Sequence, residues 1–278
     1  MGGMLYLVGT PIGNLNDISP RAAETLAAVD FIAAEDTRVS LKILNHLGIK
    51  KPLVSYYEHN RAASGEKILA RLTSGESCAL VTDAGMPAVS DPGEDLVALC
   101  AEAGVPVTVI PGPCAAVCAL AASGLPSGRF TFEGFLSTAP KSRREHLSEI
   151  KGERRTMIFL EAPHKLLRTL NDMLAALGDR RIVLAREMTK LHEEFIRTTF
   201  SGAIAMYSDT PPRGEYVLVI EGAAETSDSE LTLPEALQLV EKYRQSGVSL
   251  KDAAKRASEE TGISKKTLYD ASLRAERE

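Results

Sequence analysis

The chain lacks any run of about 18 consecutive apolar residues, the length that a helix needs to cross a lipid bilayer. Its first residues, MGGMLYLVGT, have neither the positive charge nor the long apolar segment of a secretory signal. Both absences predict a cytoplasmic protein. The composition, 44% hydrophobic and 25% charged over 278 residues, is typical of a globular chain with two cores or one large core.

Cysteine is scarce, and its positions argue against structural crosslinks. Cys78, Cys100, Cys114 and Cys118 all lie inside apolar runs. They form no CxxC pair and no Cys/His pattern at zinc spacing. Buried thiols are therefore expected, without disulfides and without a structural metal.

An excess of positive charge is also lacking, since the formal net charge at pH 7 is −5. A uniformly basic nucleic-acid-binding protein is excluded, because phosphate contacts require concentrated positive charge. A local basic patch exists between residues 141 and 155, which contain six basic residues and three glutamates. The alternative interpretation is a charged helix with i,i+4 ion pairs such as Lys141 with Glu145. The candidates for phosphate binding are Lys141, Arg143, Arg144 and Arg155.

The first part of the chain alternates short β-branched runs with helical segments, which indicates βαβ units and a mainly parallel sheet. Ser19 and Pro20 form a helix start, and Gly48 and Gly104 stand where helices commonly end. An N-terminal α/β lobe is predicted over 1–124. Its strands are expected within 5–10, 31–36, 52–57, 78–85 and 107–113.

The second part, 125–222, has strand-like segments that are not all separated by helices, so a second lobe with a mixed sheet is predicted. A helix is expected from about His164 to Leu177. Residues 223–232 are small, polar and acidic, as in an exposed linker. The strands are expected within 130–136, 156–163, 181–187, 193–202 and 214–222.

The tail, 233–278, contains three helical segments and resembles a helix-turn-helix. Ser249 and Ser264 are predicted N-caps. Lys265 and Lys266 follow the second cap, and basic groups at a helix start suit a phosphate. A three-helix cap that packs on a partner lobe explains the same pattern without nucleic acid.

Three loops follow predicted strands, at the edge where open α/β sheets bind ligands. The first, GTPIGN at 9–14, matches neither GxGxxG nor GxxxxGK[ST], so a dehydrogenase or P-loop site loses its support. The second, TDAGMPAVSDPG at 82–93, concentrates glycine, proline and two aspartates; either it binds a ligand or Asp91 caps a tight turn. The third, PGPCAA at 111–116, opens a helix whose free backbone N–H groups suit a carboxylate or hydroxyl.

Taken together, these loops resemble those of the tetrapyrrole methylase superfamily. The resemblance spans about residues 4–222 and is specific for the branch that methylates ribosomal RNA. It implies two α/β lobes with the cofactor cleft between them, S-adenosylmethionine as cofactor, a homodimer, and methylation of a cytidine 2′-hydroxyl in the decoding region of small-subunit ribosomal RNA. The blocks that carry it are GTPIGNLNDISPRA (9–22), AAEDTRVSLKILNHLGI (33–49), DAGMPAVSDPG (83–93), PGPCAAVCALAASGL (111–125), FEGFL (132–136), EAPHKL (161–166) and GEYVLVIEG (214–222).

The resemblance also implies the residues around the cofactor. One of them departs from the pattern, because many relatives have a hydroxyl residue where this chain has Cys114, and a thiol is a weaker donor. Its backbone is therefore expected to matter more than its sulfur. The positions carried over are Ile12, Asp83, Gly85, Ala88, Cys114, Ala115, Leu160 and Gly214.

Methyl transfer to an alcohol is an in-line displacement, so the site must align the reacting atoms and help to remove the hydroxyl proton. Candidates for this second task cluster at two strand ends of the second lobe, and no single base is indicated. The alternatives are that His164 simply begins a helix, that Arg186 and Glu187 form ion pairs with neighbours, and that Lys190 is a solvated surface charge. The candidates are Glu161, His164, Arg186, Glu187 and Lys190.

Two further functions stay open from the sequence. One is methylation of a tetrapyrrole or of a modified protein side chain, as other members of the superfamily perform. The other is a noncatalytic protein that binds the ribosome or a nucleic acid through its tail. The intact cofactor loops argue against the second of these, and the basic stretch favours RNA.

Overall fold

The computed structural model describes residues 3–224 and 232–275. It divides into two compact units, Met1–Gly222 and Ala223–Glu278. Most of the predicted linker, residues 225–231, lies outside the described residues, and the predicted domain boundaries stay predictions.

A parallel five-stranded sheet forms the first part of the larger unit, with strand order β3-β2-β4-β1-β5. All five strands fall within the segments predicted from β-branched runs. The three inner strands are largely buried, as expected when helices cover both sides of a parallel sheet, and the two edge strands are partly exposed. The strands are β1 (Leu5–Val8), β2 (Phe31–Ala34), β3 (Leu53–Ser55), β4 (Cys78–Val81) and β5 (Val107–Ile110).

Helices alternate with these strands, and their ends follow the local sequence signals. The Ser19 hydroxyl accepts a hydrogen bond from the Ala22 amide at 3.1 Å, and Pro20 occupies the first turn. Gly48 and Gly104 adopt positive φ just after a helix ends, which confirms both predicted stops. The helices are α1 (Pro20–Ala28), α2 (Thr37–His46), α3 (Arg61–Thr73), α4 (Glu94–Glu102) and α5 (Ala115–Ser123).

A second five-stranded sheet follows, with order β6-β7-β10-β8-β9. Strand β6 pairs with β7 in parallel, and the other pairs are antiparallel, so the predicted mixed sheet is confirmed. The α/β fold class predicted from the sequence is confirmed as well. The elements are β6 (Phe130–Phe135), α6 (Pro140–Glu149), β7 (Thr156–Glu161), α7 (Pro163–Leu177), β8 (Arg181–Arg186), β9 (Glu194–Thr199), α8 (Phe200–Ser208) and β10 (Tyr216–Ile220).

Helix α5 joins the two sheets. Ala116, Ala119 and Leu120 pack against Ile158 and Val217 of the second sheet. The helix is apolar on its other face too, which leaves Val117 51% exposed and Cys118 exposed. The expectation that every cysteine is buried is therefore wrong for Cys118 and incomplete for half-buried Cys114, while Cys78 and Cys100 are buried; all four thiols are free.

The smaller unit is a three-helix domain with its own core. Helices α9 (Leu233–Gln245), α10 (Leu250–Thr261) and α11 (Lys265–Ala275) enclose small apolar side chains and Leu268. The Ser249 hydroxyl accepts from the Asp252 amide and the Ser264 hydroxyl from the Thr267 amide, which confirms both caps. In the two stretches that the structure covers, no helix is both long and apolar enough to span a membrane.

Candidate active site

A cavity of about 560 Å³ opens at the carboxyl ends of the first sheet's strands and is closed from the other side by the second sheet. Its size is within the range of small-molecule sites, about 300–1,000 Å³. Side chains from both sheets line it, as predicted for a cleft between two lobes. Apolar groups form much of the wall, among them Ile12, Met86, Leu160, Met188 and Val217.

The first two loops are hydrogen-bonded to each other. The Thr10 amide donates to the Gly85 carbonyl at 2.9 Å, and the Gly85 amide donates to the Thr10 carbonyl at 3.1 Å. The Thr10 hydroxyl also donates to the Thr82 carbonyl at 3.1 Å. Gly85 has φ +90°, a conformation that L side chains rarely adopt, so a glycine is needed where the second loop turns toward the first. The two loops therefore form one wall of the cavity.

Three carboxylates, Glu35, Asp83 and Asp91, lie together on this wall. Glu35 and Asp83 follow the neighbouring strands β2 and β4. The Asp83 amide donates to the Glu35 carboxylate at 3.4 Å, and the Asp36 amide donates to the Asp83 carboxylate at 3.1 Å. The negative charges are thus held close together in a half-buried space.

The pKa of each of these carboxyl groups is raised. Burial is the main cause for all three. For Asp91, burial and the nearby charges of Glu35 and Asp83 raise the pKa to about 6. Ionised carboxylates in such a cluster are destabilised, and a cationic ligand would relieve that cost. Adjacent positive charge from the protein is small here, because the Arg38 guanidinium is engaged mainly with Asp36, at 2.6 Å.

Six of the eight residues expected around the cofactor line the cavity, namely Ile12, Asp83, Gly85, Cys114, Ala115 and Leu160. The other two, Ala88 and Gly214, lie outside its lining. Ala88 has φ +63° and stands against Gly93, so it shapes the second loop. A β-carbon on Gly214 would lie 2.4 Å from the Glu187 side chain, so this glycine makes room for Glu187.

Glu161 is the one residue of the five acid-base candidates that lines the cavity. It ends strand β7 and is 4% exposed. One carboxylate oxygen accepts the Ala162 amide at 2.9 Å, and the other accepts the hydroxyl of Thr169. A carboxylate has about four acceptor positions, so capacity is left for a ligand hydroxyl.

Three other candidates form an ion-pair network at the end of strand β8. The Lys190 ammonium contacts Glu187 and Glu215, each at 2.9 Å, and Glu215 lines the cavity. The hydrogen bond from Lys190 lowers the pKa of Glu187. Partial burial opposes the charge of Lys190, but the hydrogen bonds that it donates to Glu215 and Glu187 leave its pKa raised. Lys190 is thus a paired group rather than the solvated charge that the sequence allowed.

Arg186 and His164 are also placed away from the cavity lining. Arg186 donates to the Arg213 carbonyl at 2.7 Å and contacts Glu194 at 3.3 Å. His164 lies exposed in the first turn of α7. These positions agree with the alternatives in which Arg186 pairs with a neighbour and His164 begins a helix.

The structure contradicts the prediction that Arg143 contacts RNA. Helix α6 turns this residue inward, and only 5% of it is exposed. Its guanidinium donates to Asp172 at 2.6 Å and to the Thr169 hydroxyl at 2.7 Å. A buried charge needs such partners, and they occupy guanidinium N–H groups that a phosphate would otherwise accept from.

The remaining basic residues of that stretch lie at the surface. Lys141 and Glu145 are 3.8 Å apart, which is the i,i+4 pair that the helical alternative predicts. The Arg155 guanidinium donates two hydrogen bonds to Glu153 and its amide donates a third, and they lower the pKa of Glu153 to about 2. Arg144 is exposed. A shallow groove of about 650 Å³ runs beside them, lined by Arg129, Arg154 and Arg155 together with two glutamates.

Several cavity residues were not identified from the sequence. Glu35, Phe135, Glu215 and Tyr216 all line the site, as does Asp91, which the sequence offered as part of a ligand loop or as a turn cap. A signal existed for Glu35, which follows a buried strand just as Asp83 does. Within 3–224 and 232–275, histidine, cysteine and carboxylate side chains form no group of three or more that could hold a metal ion.

Comparisons with known proteins identify the family. The family model described as "Tetrapyrrole (Corrin/Porphyrin) Methylases" matches residues 4–203, and the model "RsmI C-terminal HTH domain" matches residues 232–276. The chain is 47% identical over 278 residues to "Ribosomal RNA small subunit methyltransferase I" of Synechocystis sp., with 99% of each chain covered. A protein of the same name from Thermotoga maritima is 49% identical over 220 residues, which are 79% of this chain and 99% of that protein.

The fold has close counterparts among solved structures. Uroporphyrin-III-C-methyltransferase from Thermus thermophilus superposes with a TM-score of 0.55 at 20% identity, covering 78% of this chain and 94% of that one. This similarity concerns the fold alone. Together with the near full-length sequence matches, it confirms the resemblance read from the loops. The chain therefore belongs to the tetrapyrrole methylase family and, within it, to the group of ribosomal RNA small subunit methyltransferase I proteins.

Proposed function

We propose that the chain methylates the ribose 2′-hydroxyl of a cytidine in the decoding region of small-subunit ribosomal RNA. The chain is an S-adenosylmethionine-dependent methyltransferase, and its relatives carry the name of a small-subunit ribosomal RNA enzyme. The observation that carries the proposal is the composite cavity. It joins a carboxylate cluster from the first sheet with Glu161 from the second, and both sheets contribute apolar side chains to its wall.

The residues of the cavity fit S-adenosylmethionine. Ile12, Leu160 and Val217 suit an adenosyl group, and the carboxylates with raised pKa suit the positive charges of a sulfonium and an ammonium. Ala115 and Ala116 at the start of α5 have amides without acceptors within the helix, and these suit a carboxylate. When bound, the cofactor supplies a methyl group on sulfur, and its transfer to a hydroxyl leaves a neutral thioether and releases one proton.

We propose that the Glu161 carboxylate accepts that proton. The residue lines the cavity and keeps acceptor capacity beyond its bonds to Ala162 and Thr169. Glu187 and Lys190 support the cavity rim from outside through Glu215, and Arg186 holds the carbonyl of Arg213, two residues before Glu215. Holding the hydroxyl oxygen in line with the methyl group supplies much of the acceleration in a displacement of this kind.

The RNA is proposed to enter over Phe135 and the basic surface of the second sheet's helix α6. Phe135 lines the cavity and is 58% exposed, so its ring is open for a nucleobase turned out of the RNA. Lys141, Arg144 and Arg155 are surface cations that suit phosphates, and Arg129 and Arg154 extend this surface along the groove. Arg143 has no part in it.

Lys265 and Lys266 are proposed as further phosphate contacts. They occupy the first turn of α11 directly after the Ser264 cap, and the start of a helix suits a phosphate. The three-helix domain encloses its own core, so it is complete without nucleic acid. A role in RNA binding therefore rests on these two lysines.

We also propose that the chain forms a homodimer and acts in the cytoplasm, where ribosomal subunits are found. Helix α5 is apolar on its outward face, and the preceding edge strand β5 leaves Val109 48% exposed. A helix that is apolar all round is normally buried on all sides. A second copy of the chain is the proposed cover.

The test is transfer of labelled methyl groups from S-adenosylmethionine to purified small subunits that lack the modification, using the full-length chain. Label in ribosomal RNA supports the proposal, and Glu161→Gln is expected to bind the cofactor while transferring little label. Cofactor binding without RNA labelling would turn the search to tetrapyrrole or protein acceptors. Absence of cofactor binding would favour a noncatalytic binding protein.

A further inference from the structure

A buried chain of hydrogen bonds leads from helix α6 to the cavity. The Arg143 guanidinium donates to the Thr169 hydroxyl at 2.7 Å, and that hydroxyl donates to the Glu161 carboxylate. Arg143 is 5% exposed, Thr169 1% and Glu161 4%. This series of hydrogen bonds thus connects three secondary-structure elements, α6, α7 and β7, beneath the cavity wall.

The direction of these bonds follows from the chemistry of the groups. A guanidinium can only donate, so the Thr169 oxygen accepts from Arg143 and has its single hydrogen left to give. Its near acceptor is the Glu161 carboxylate. Asp172 accepts a hydrogen bond from Nε of the same guanidinium at 2.6 Å and balances its charge. The Thr169 hydroxyl is therefore locked as a donor to Glu161.

This lock fixes where the carboxylate points. One oxygen of Glu161 is held by Thr169 and the other by the Ala162 amide at 2.9 Å. Thr169 lies behind the cavity wall, and Ala162 is part of the lining. Because Glu161 itself lines the cavity, its remaining acceptor positions are available there. Side chains that carry a reaction are commonly held in this way by buried partners.

We propose that Arg143 and Thr169 are positioning residues that hold the Glu161 carboxylate in line with the acceptor hydroxyl. The inference rests on the proposed function, in which Glu161 accepts the proton of that hydroxyl. It gives Arg143 a role in the rate of methyl transfer, separate from the RNA-binding surface formed by its neighbours on α6. Neither residue touches the substrate.

The experiment compares full-length Thr169→Val, Thr169→Ser and Arg143→Lys with the parent chain. Valine removes the hydroxyl at nearly the same volume, and serine restores it. For Thr169→Val we expect kcat to fall about 10- to 100-fold, with the KM for small subunits and the Kd of S-adenosylmethionine changed less than about threefold. Thr169→Ser should recover most of kcat, and Arg143→Lys should lose part of it because an ammonium lacks the planar fork.

Arg168→Gln is the matched control. Arg168 also approaches Asp172, at 3.8 Å, but its side chain is 61% exposed and it has no bond to Thr169. We expect its kcat to equal that of the parent chain. If Arg168→Gln lowers kcat as much as Thr169→Val does, the effect comes from Asp172 and general loosening, and the inference is overturned.

The remaining outcomes separate this inference from the proposed function. A parent chain that does not methylate small subunits overturns both. An active parent chain with an unchanged kcat in folded Thr169→Val overturns the positioning role alone. If Thr169→Val does not fold, Thr169→Ser and Arg143→Lys decide, since wild-type kcat in Arg143→Lys or no activity in folded Thr169→Ser contradicts the proposal.

Discussion

Gly9 and Gly112 pack backbone against backbone at the ends of the neighbouring strands β1 and β5. A β-carbon on Gly9 would lie 2.7 Å from the Gly112 α-carbon, and one on Gly112 would lie 2.9 Å from the Gly9 α-carbon. No side chain fits between them. The two glycines therefore allow the first and third loops to meet.

Gly9→Ala should force these loops apart. Overpacking at a tight contact costs about 1–3 kcal/mol of stability, and the displaced loops should weaken S-adenosylmethionine binding about tenfold or more. Gly128→Ala is the control, because a β-carbon there meets no atom within 4 Å. Calorimetric Kd values and thermal unfolding of both variants measure the difference. Parent-like affinity in Gly9→Ala would contradict the close packing of the two loops.

The affinity for S-adenosylmethionine should depend on pH through Asp91. Its pKa in the folded protein is raised from 3.8 to about 6, so the carboxyl of the free protein is protonated below that pH and ionised above it. A cationic ligand prefers the ionised form, and affinity should therefore rise between about pH 5 and pH 7. Calorimetry across this range measures the effect, and Asp91→Asn should flatten the dependence.

The raised pKa of Asp91 should also make the stability of the free protein depend on pH. A raised carboxyl pKa penalises the folded state, and the penalty is absent below pH 3.8, grows up to about pH 6 and persists above it. Asp91→Asn should thus raise the Tm of the free protein more at about pH 7.5 than at about pH 4. An equal change in Tm at both pH values, or an unchanged pH dependence of affinity, would contradict the assigned role of Asp91.

Phosphate binding by the surface cations should appear in the salt dependence of activity. In the double variant Arg144→Gln/Arg154→Gln, we expect the KM for small subunits to rise about tenfold at about 0.15 M salt, and the slope of log affinity against log salt to become shallower by about 1.5–2. The Kd of the cofactor should stay unchanged. Lys67→Gln, an exposed substitution on α3, is the control. The same slope in the double variant and the control would exclude these arginines from the RNA surface.

Phe135 should contribute to substrate binding by stacking on a base. Loss of one aromatic stacking contact costs about 1–3 kcal/mol, so Phe135→Ala should lower kcat/KM for small subunits about 10- to 100-fold while cofactor affinity changes little. Phe130→Ala is matched to it, since Phe130 lies on the same strand, is 40% exposed and is outside the cavity lining. Similar losses in both variants would point to damage to strand β6 instead.

The strand positions and several helix ends could be predicted from the sequence because their signals are local. Short runs of apolar and β-branched residues mark the ten strands, and Ser19, Gly48 and Gly104 act within one turn of a helix. The order of the strands is set by contacts between distant segments. That order brings Glu35 beside Asp83, so the carboxylate cluster could not be derived from either loop alone.

The error at Arg143 has a specific physical cause. Helix α6 is charged on all sides, so its inward face has no apolar pattern, and only Arg143 and Leu147 are buried. The two residues are four positions apart and therefore share one face of the helix. Because Leu147 is apolar, it was the sequence signal that this face, and Arg143 with it, points inward. Its partners Asp172 and Thr169 are on α7, beyond the reach of any local pattern.

The most direct measurement is the identity of the methylated nucleoside after reaction of the full-length chain with small subunits that lack the modification. Ribosomal RNA from that reaction is digested and mapped by mass spectrometry, with Glu161→Gln in parallel. The expected product is a single cytidine methylated on its ribose 2′-oxygen in the decoding region, formed at a strongly reduced rate by Glu161→Gln. A methyl group on a base, or on no RNA at all despite bound S-adenosylmethionine, would contradict the proposed reaction.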